Sequence, residues 1–169
     1  MLSKALRSGE LRQYRPLRPS MAVRALYITP VVEGLLRDGR QEGFPSVEAE
    51  TILARFFLGH SIWVTFESAK DCDLERLEDL DEIWAFCFRR PKPGWRLLGR
   101  FLAHNIFIGL NAYDRHQLGT AARYGHIATS AVTDRWKSIF GKTEPYRGNA
   151  TRDYMGGVIY DDQDLQNDP

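Results

Sequence analysis

The stretch from Ile83 to His116 constrains the fold more than any other, because large apolar side chains recur with a period of two through three successive runs. In the first run Trp84, Phe86 and Phe88 share one side, and in the second Trp95, Leu97, Gly99 and Phe101 do the same. In the third, Ile106, Ile108, Leu110 and Ala112 alternate with Phe107, Gly109, Asn111 and Tyr113. Pro91, Pro93 and Gly94 break the first run from the second, and His104 with Asn105 makes a tight connection into the third. The pattern predicts a three-stranded antiparallel meander. Five cations accompany it: Arg89, Arg90, Lys92, Arg96 and Arg100. Arg96 and Arg100 lie opposite the apolar side of the second run and, four residues apart, span about 13 Å at roughly 3.3 Å per residue. The sheet is therefore expected to set its aromatic face on a core and to turn a basic face, with Arg96 and Arg100 at its centre, towards solvent.

Helical periodicity flanks this sheet. Thr29 followed by Pro30 offers a capping hydroxyl and a proline at the first helical position, with Val31, Val32, Leu35 and Leu36 as the stripe and Gly39 as the stop. Ser46, Glu48 and Glu50 open a second helix, near 47–58, in which Ile52, Leu53, Phe56 and Phe57 face the core until Gly59. A long stripe through Tyr124, Ile127, Ala128, Val132, Ile139 and Phe140 predicts a helix near 121–140. Both long helices are expected to bury their stripes on the Trp84, Phe86, Leu97 and Phe101 face. Ile62–Phe66 reads as a strand, Ala22–Ile28 as a strand or a helical turn, and Asp71–Asp81 as an acidic turn or short helix with Leu74, Leu77 and Leu80 inward. The fold class is α+β, with residues 1–150 as one domain and 151–169 as a C-terminal segment ending in an acidic tail.

Composition bounds the function. The chain has 169 residues, 43% of them apolar, and a formal net charge of +1, so attraction to nucleic acid has to come from local charge. Residues 1–40 carry eight basic against three acidic side chains, whereas residues 67–82 carry two basic against eight acidic. The acidic group (Glu67, Asp71, Asp73, Glu75, Glu78, Asp79, Asp81 and Glu82) lacks the spacing of a calcium loop. Cys72 and Cys87 have no neighbours at zinc-ligand spacing, and nothing in their positions argues for a bond between them. No metal or cofactor is expected. Two cysteines in such a chain fit a reducing compartment, no run is long enough for a membrane span, and the N-terminal segment lacks the apolar core of a secretory signal. The expected location is the cytoplasm, without membrane partners.

Enzyme signatures are sparse. There is no phosphate-binding glycine loop, dinucleotide fingerprint or nucleophile elbow. Of His60, His104, His116 and His126 none forms a metal-binding pair, and only His116, following Asp114 and Arg115 at a strand end, sits where chemistry is common. Tyr113, Tyr124 and Tyr146 are the aromatic residues best suited to polar work.

The segments DLERLEDLDEIWAFCFRR, GWRLLGRFL and NIFIGLNAYDRH, spanning Asp73 to His116, resemble the sheet-centred core of the RelE/ParE toxin superfamily, particularly its phage-derived HigB-like members. The resemblance implies cleavage of ribosome-bound messenger RNA. In that reading Arg96 and Arg100 hold phosphates, Arg89, Arg90 and Lys92 extend the contact surface, Tyr113 stacks or positions, and Arg115 or His116 assists proton transfer. The chain departs from the family pattern in its near-neutral charge, in some sixty residues ahead of the matching core, and in lacking the lysine pair after the third strand. These departures keep open a toxin-like fold that binds a protein instead, such as an antitoxin, regulatory or replication partner, and a structural or assembly role.

Overall fold

The computed structural model describes residues 1–17, 21–66, 71–77, 81–118, 126–157 and 159–160, with the backbone alone for Gln41 and Ile127. In chain order the elements are α1 (Leu2–Ser8), β1 (Arg12–Gln13), β2 (Ala25–Ile28), α2 (Pro30–Asp38) with a short 3-10 turn at Gly39–Glu42, α3 (Ser46–Leu58), β3 (Ile62–Thr65) and β4 (Leu74–Arg76). Then come β5 (Trp84–Phe88), β6 (Trp95–Ala103), β7 (Ile106–Asp114), α4 (His126–Phe140), α5 (Thr151–Tyr154) and β8 (Ile159–Tyr160). The strands form one sheet in the order β1-β2-β7-β6-β5-β4-β3-β8. The class is α+β. Its centre is the antiparallel β5-β6-β7 meander that the period-two pattern predicts, in register Phe86↔Leu97 and Leu97↔Ala112.

The sheet is mixed, not purely antiparallel. β2 runs parallel to β7, and β3 runs parallel to both β4 and β8. These pairings join segments far apart in sequence, which no local turn signal announces. The Asp71–Asp81 segment is the second correction, because Leu74–Arg76 is a strand between β3 and β5. Leu74 and Leu77, three positions apart, consequently enter opposite cores. Leu80, Glu67, Glu78 and Asp79 lie outside the described residues, as do Tyr124, the first turn of the expected 121–140 helix and the acidic tail 161–169.

The third correction carries the most consequence. α2 and α3 cover the aromatic face, where Val32, Leu53 and Phe56 meet Trp84, Phe86, Leu97 and Phe101. α4 does not share that face. Its Ala128, Val132, Trp136 and Phe140 lie with Ala5 of α1 against Ala85, Leu98, Ile108 and Leu110, on the face assigned to solvent. The sheet is thus the middle of three layers. Among the described residues no helix is long and apolar enough to cross a membrane.

Local chemistry explains several details. Thr29 precedes α2, but its hydroxyl donates to the Leu110 carbonyl at 2.9 Å instead of capping the helix, because the residue is buried against β7. A β-bulge shifts the β6–β7 register between Leu98 and Gly99, and a Cβ at Gly99 would collide with the Ile108 carbonyl and the Phe107 ring. The segment after residue 150 begins inside the structure: the Tyr154 ring is fully buried, and its hydroxyl donates to Glu82 at 2.7 Å and accepts from Arg76 at 3.2 Å and from the Gly148 amide at 2.8 Å.

Burial also sets a pH dependence. Desolvation raises the phenols of Tyr14, Tyr113 and Tyr154 above their ordinary value of 10.0, with Glu50 adding to the effect at Tyr14 and Glu82 at Tyr154. The folded chain holds these protons more tightly than the unfolded chain, so their stabilisation is complete below pH 10.0 and is lost as pH rises through the folded values. Burial lowers the Arg24 guanidinium to about 10 and lowers that of Arg100, which acts in the opposite sense, so the difference between the parent and Tyr154→Phe carries the assignment. Urea unfolding at stepped pH is expected to show stability falling above about pH 10, with a shallower fall in Tyr154→Phe; equal slopes would contradict the assignment.

Candidate functional site

The loop between β5 and β6 runs from Arg89 to Gly94, through cis peptides before Pro91 and Pro93. Gly94 closes it with a positive φ of 80°, donating from its amide to the Pro91 carbonyl at 3.0 Å; a side chain there would strike the Phe88 carbonyl. The Arg115 amide donates to the Gly94 carbonyl at 2.9 Å. This bond fastens the end of β7 to the hairpin, so Arg89, Arg90, Lys92, Arg115 and His116 gather at one end of the sheet. Arg90, Lys92 and His116 are exposed there, and Arg89 and Arg115 are half-buried.

Two shallow recesses meet beside the hairpin, each of about 330 Å³. One is lined by Arg40, Phe44, Pro45, Val47, Glu48, Arg90 and Pro91. The other is lined by Glu48, Trp63, Asp71, Cys72, Asp73, Arg89 and Arg90. Glu48 and Arg90 belong to both, and the Glu48 carboxylate accepts from the Arg90 amide. Arg89 pairs with Asp71 at 3.5 Å, while Asp73 pairs with Arg55 at 3.2 Å and accepts from the Trp63 amide at 2.9 Å. The rim therefore alternates in sign.

Arg96 and Arg100 are not part of this surface. Arg96 is 6% exposed, with its guanidinium 3.9 Å from Glu75 and donating to the Trp95 carbonyl at 3.0 Å. Arg100 is 2% exposed under α4, where it donates to Thr133 at 3.1 Å, lies 3.9 Å from Asp81 and sits 5.8 Å from the Trp136 ring centre. Burial lowers its pKa, partly offset by Asp81. The expected solvent-facing basic strand is overturned by the position of α4, which needs that face for its apolar stripe. Tyr113 pairs with Arg96 in the β6–β7 register and is half-buried.

Two groups escaped the sequence reading. Arg40 and Phe44 come to the hairpin from the turn ahead of α3 and Val47 from its first turn, a neighbourhood that local pattern does not disclose. The other group is the cysteines. Cys72 and Cys87 are both buried and free, and their sulfurs lie 4.0 Å apart, a proximity that their sequence positions do not announce. The cause is β4: once Leu74 pairs with Phe86, the residues just before β4 lie beside Cys87. Cys87 also donates to Glu75 at 3.5 Å, and Arg89 reaches the Cys72 sulfur at 3.7 Å.

Comparison with known proteins finds no matching family model, no matching curated relative and no matching solved structure.

Proposed function

We propose that the chain is a non-enzymatic interaction module, which captures a protein segment at the β5–β6 hairpin end of the sheet. The observation that carries this reading is the mixed rim of the two recesses, where the cations Arg40 and Arg90 stand with the carboxylates Glu48 and Asp71 and the exposed Val47, while Lys92 is exposed in the same hairpin. A segment with acidic groups next to an apolar side chain complements such a rim. An extended phosphate chain meets carboxylates there, and the two arginines best spaced for phosphates are buried. In the setting implied by the toxin resemblance, the partner is an antitoxin or the protein a toxin disables. Free thiols fit a cytoplasmic location.

One observation favours the RNA reading: the Arg115–Gly94 bond places five basic residues, His116 among them, at one end. The two readings separate on expression in a bacterium, with growth, RNA integrity and DNA synthesis followed together. Growth arrest without RNA cleavage, relieved by the double change Arg90→Glu and Lys92→Glu, is the expected result. Both residues are exposed, so the change costs only about 0–1 kcal/mol of folding stability. Cleavage of RNA that stops with His116→Ala or Tyr113→Phe overturns the module reading, and absence of arrest turns it towards assembly.

A further inference from the structure

We propose that Cys72, Glu75 and Cys87 form a binding site for zinc or a similar thiophilic divalent cation, entered through the recess beneath the β5–β6 hairpin. One ligand atom from each residue lies within 4.8 Å of the other two. The two sulfurs are 4.0 Å apart. Tetrahedral zinc, bonded to each thiolate at about 2.3 Å, holds its sulfurs roughly 3.8 Å apart, so a metal needs little movement of either side chain. A disulfide would require the same sulfurs to close to about 2.05 Å, and an oxidant besides.

The site is built into the sheet. Cys72, Glu75 and Cys87 are 5%, 6% and 1% exposed, and the Cys87 amide donates to the Asp73 carbonyl at 2.9 Å, extending the β4–β5 ladder that carries Glu75 and Cys87. Cys72 lines the recess together with Asp71 and Asp73, which gives an entry path and room for water as a fourth ligand. This three-ligand arrangement, with two sulfurs and one carboxylate, suits a borderline-soft cation better than magnesium or calcium.

Two positive groups stand close, Arg89 at 3.7 Å from the Cys72 sulfur and Arg96 at 3.9 Å from Glu75. They do not oppose the metal. Binding exchanges the two thiol protons for one divalent cation: two S–H bonds break, two metal–sulfur bonds form and two protons leave. The net charge facing the arginines is the same before and after.

The test uses the reduced, metal-free full chain titrated with cadmium ion, a spectroscopic stand-in for zinc. The expected result is an ultraviolet cadmium–thiolate band that saturates at about one ion per chain, release of about two protons, protection of both thiols from a disulfide reagent, and loss of the band when zinc is added. Cys72→Ser and Cys87→Ser should each abolish the saturating band, while Glu75→Gln should retain thiolate absorption and bind more weakly. If a serine variant fails to fold, the stoichiometry, proton release and thiol protection of the parent chain still decide the matter. A folded parent without a band at one equivalent overturns the proposal. So does an unchanged band in Cys72→Ser, or a Cys72–Cys87 disulfide that forms in air to the same extent with and without zinc.

Discussion

Phe101→Ala lowers the unfolding free energy by about 3–5 kcal/mol, the cost of truncating a large ring in a closed core. Phe101 is fully buried on β6, and its ring centre lies 5.1 Å from Phe107, 5.2 Å from Trp84 and 5.3 Å from Tyr154. The pairs with Phe107 and Trp84 meet edge to face, the geometry in which a ring's positive edge rests on its neighbour's negative face. Three separate segments, β5, β7 and the chain after residue 150, close on this one side chain. Alanine leaves a cavity that none can fill alone, because each is held by its own backbone ladder or hydrogen bonds. Urea denaturation reads the loss as a lower midpoint at unchanged slope. Val31→Ala, at a position 60% exposed on α2, serves as the control and should shift the midpoint little. A parent-like midpoint for Phe101→Ala would mean that the aromatic face is not the core.

The aromatic face was legible because both its signals are local. Trp84, Phe86 and Phe88 alternate within five residues, Pro91 to Gly94 marks the turn, and α3 shows its Ile52, Leu53, Phe56 and Phe57 stripe between a clear start and Gly59. The parallel partners of the meander were not legible. β2 joins β7 across some eighty residues and β8 joins β3 across nearly a hundred, so neither leaves a mark in its own neighbourhood. β4 was hidden by composition, since Glu75 and Arg76 in a three-residue strand look like surface charge. The clue to the buried arginines was present but subtle. Arg96 and Arg100 alternate with Leu98 and Leu102, and the same face of β7 brings Ile108 and Leu110. A face half made of leucine and isoleucine needs a cover, and α4 had an apolar stripe without a second place to put it. The hairpin cations Arg89, Arg90 and Lys92, by contrast, are neighbours by sequence alone, because they share one short loop.

The buried arginines give the second large effect, which runs against the intuition that a strand arginine is surface charge. Arg96→Gln should destabilise the chain by about 3–5 kcal/mol, the usual result of removing one member of a buried ion pair. Its partner Glu75 has a side chain only 8% exposed, as has Arg96 itself, so the carboxylate left behind cannot recover its hydration. The penalty belongs to that stranded charge more than to the lost attraction. It follows that Glu75→Gln added to Arg96→Gln should restore part of the loss, since two neutral amides tolerate the interior better than a buried carboxylate that has lost its guanidinium. Arg90→Gln, on the exposed hairpin, should cost only about 0–1 kcal/mol. The three variants, measured together by urea unfolding, form a sharp comparison. Equal stability of Arg96→Gln and Arg90→Gln would place Arg96 in contact with water and reopen the sheet face as a binding surface. A large loss in Arg96→Gln, partly recovered in the double variant, would assign any defect of an Arg96 variant in a growth assay to folding, leaving the hairpin end as the surface on which partner binding has to be sought.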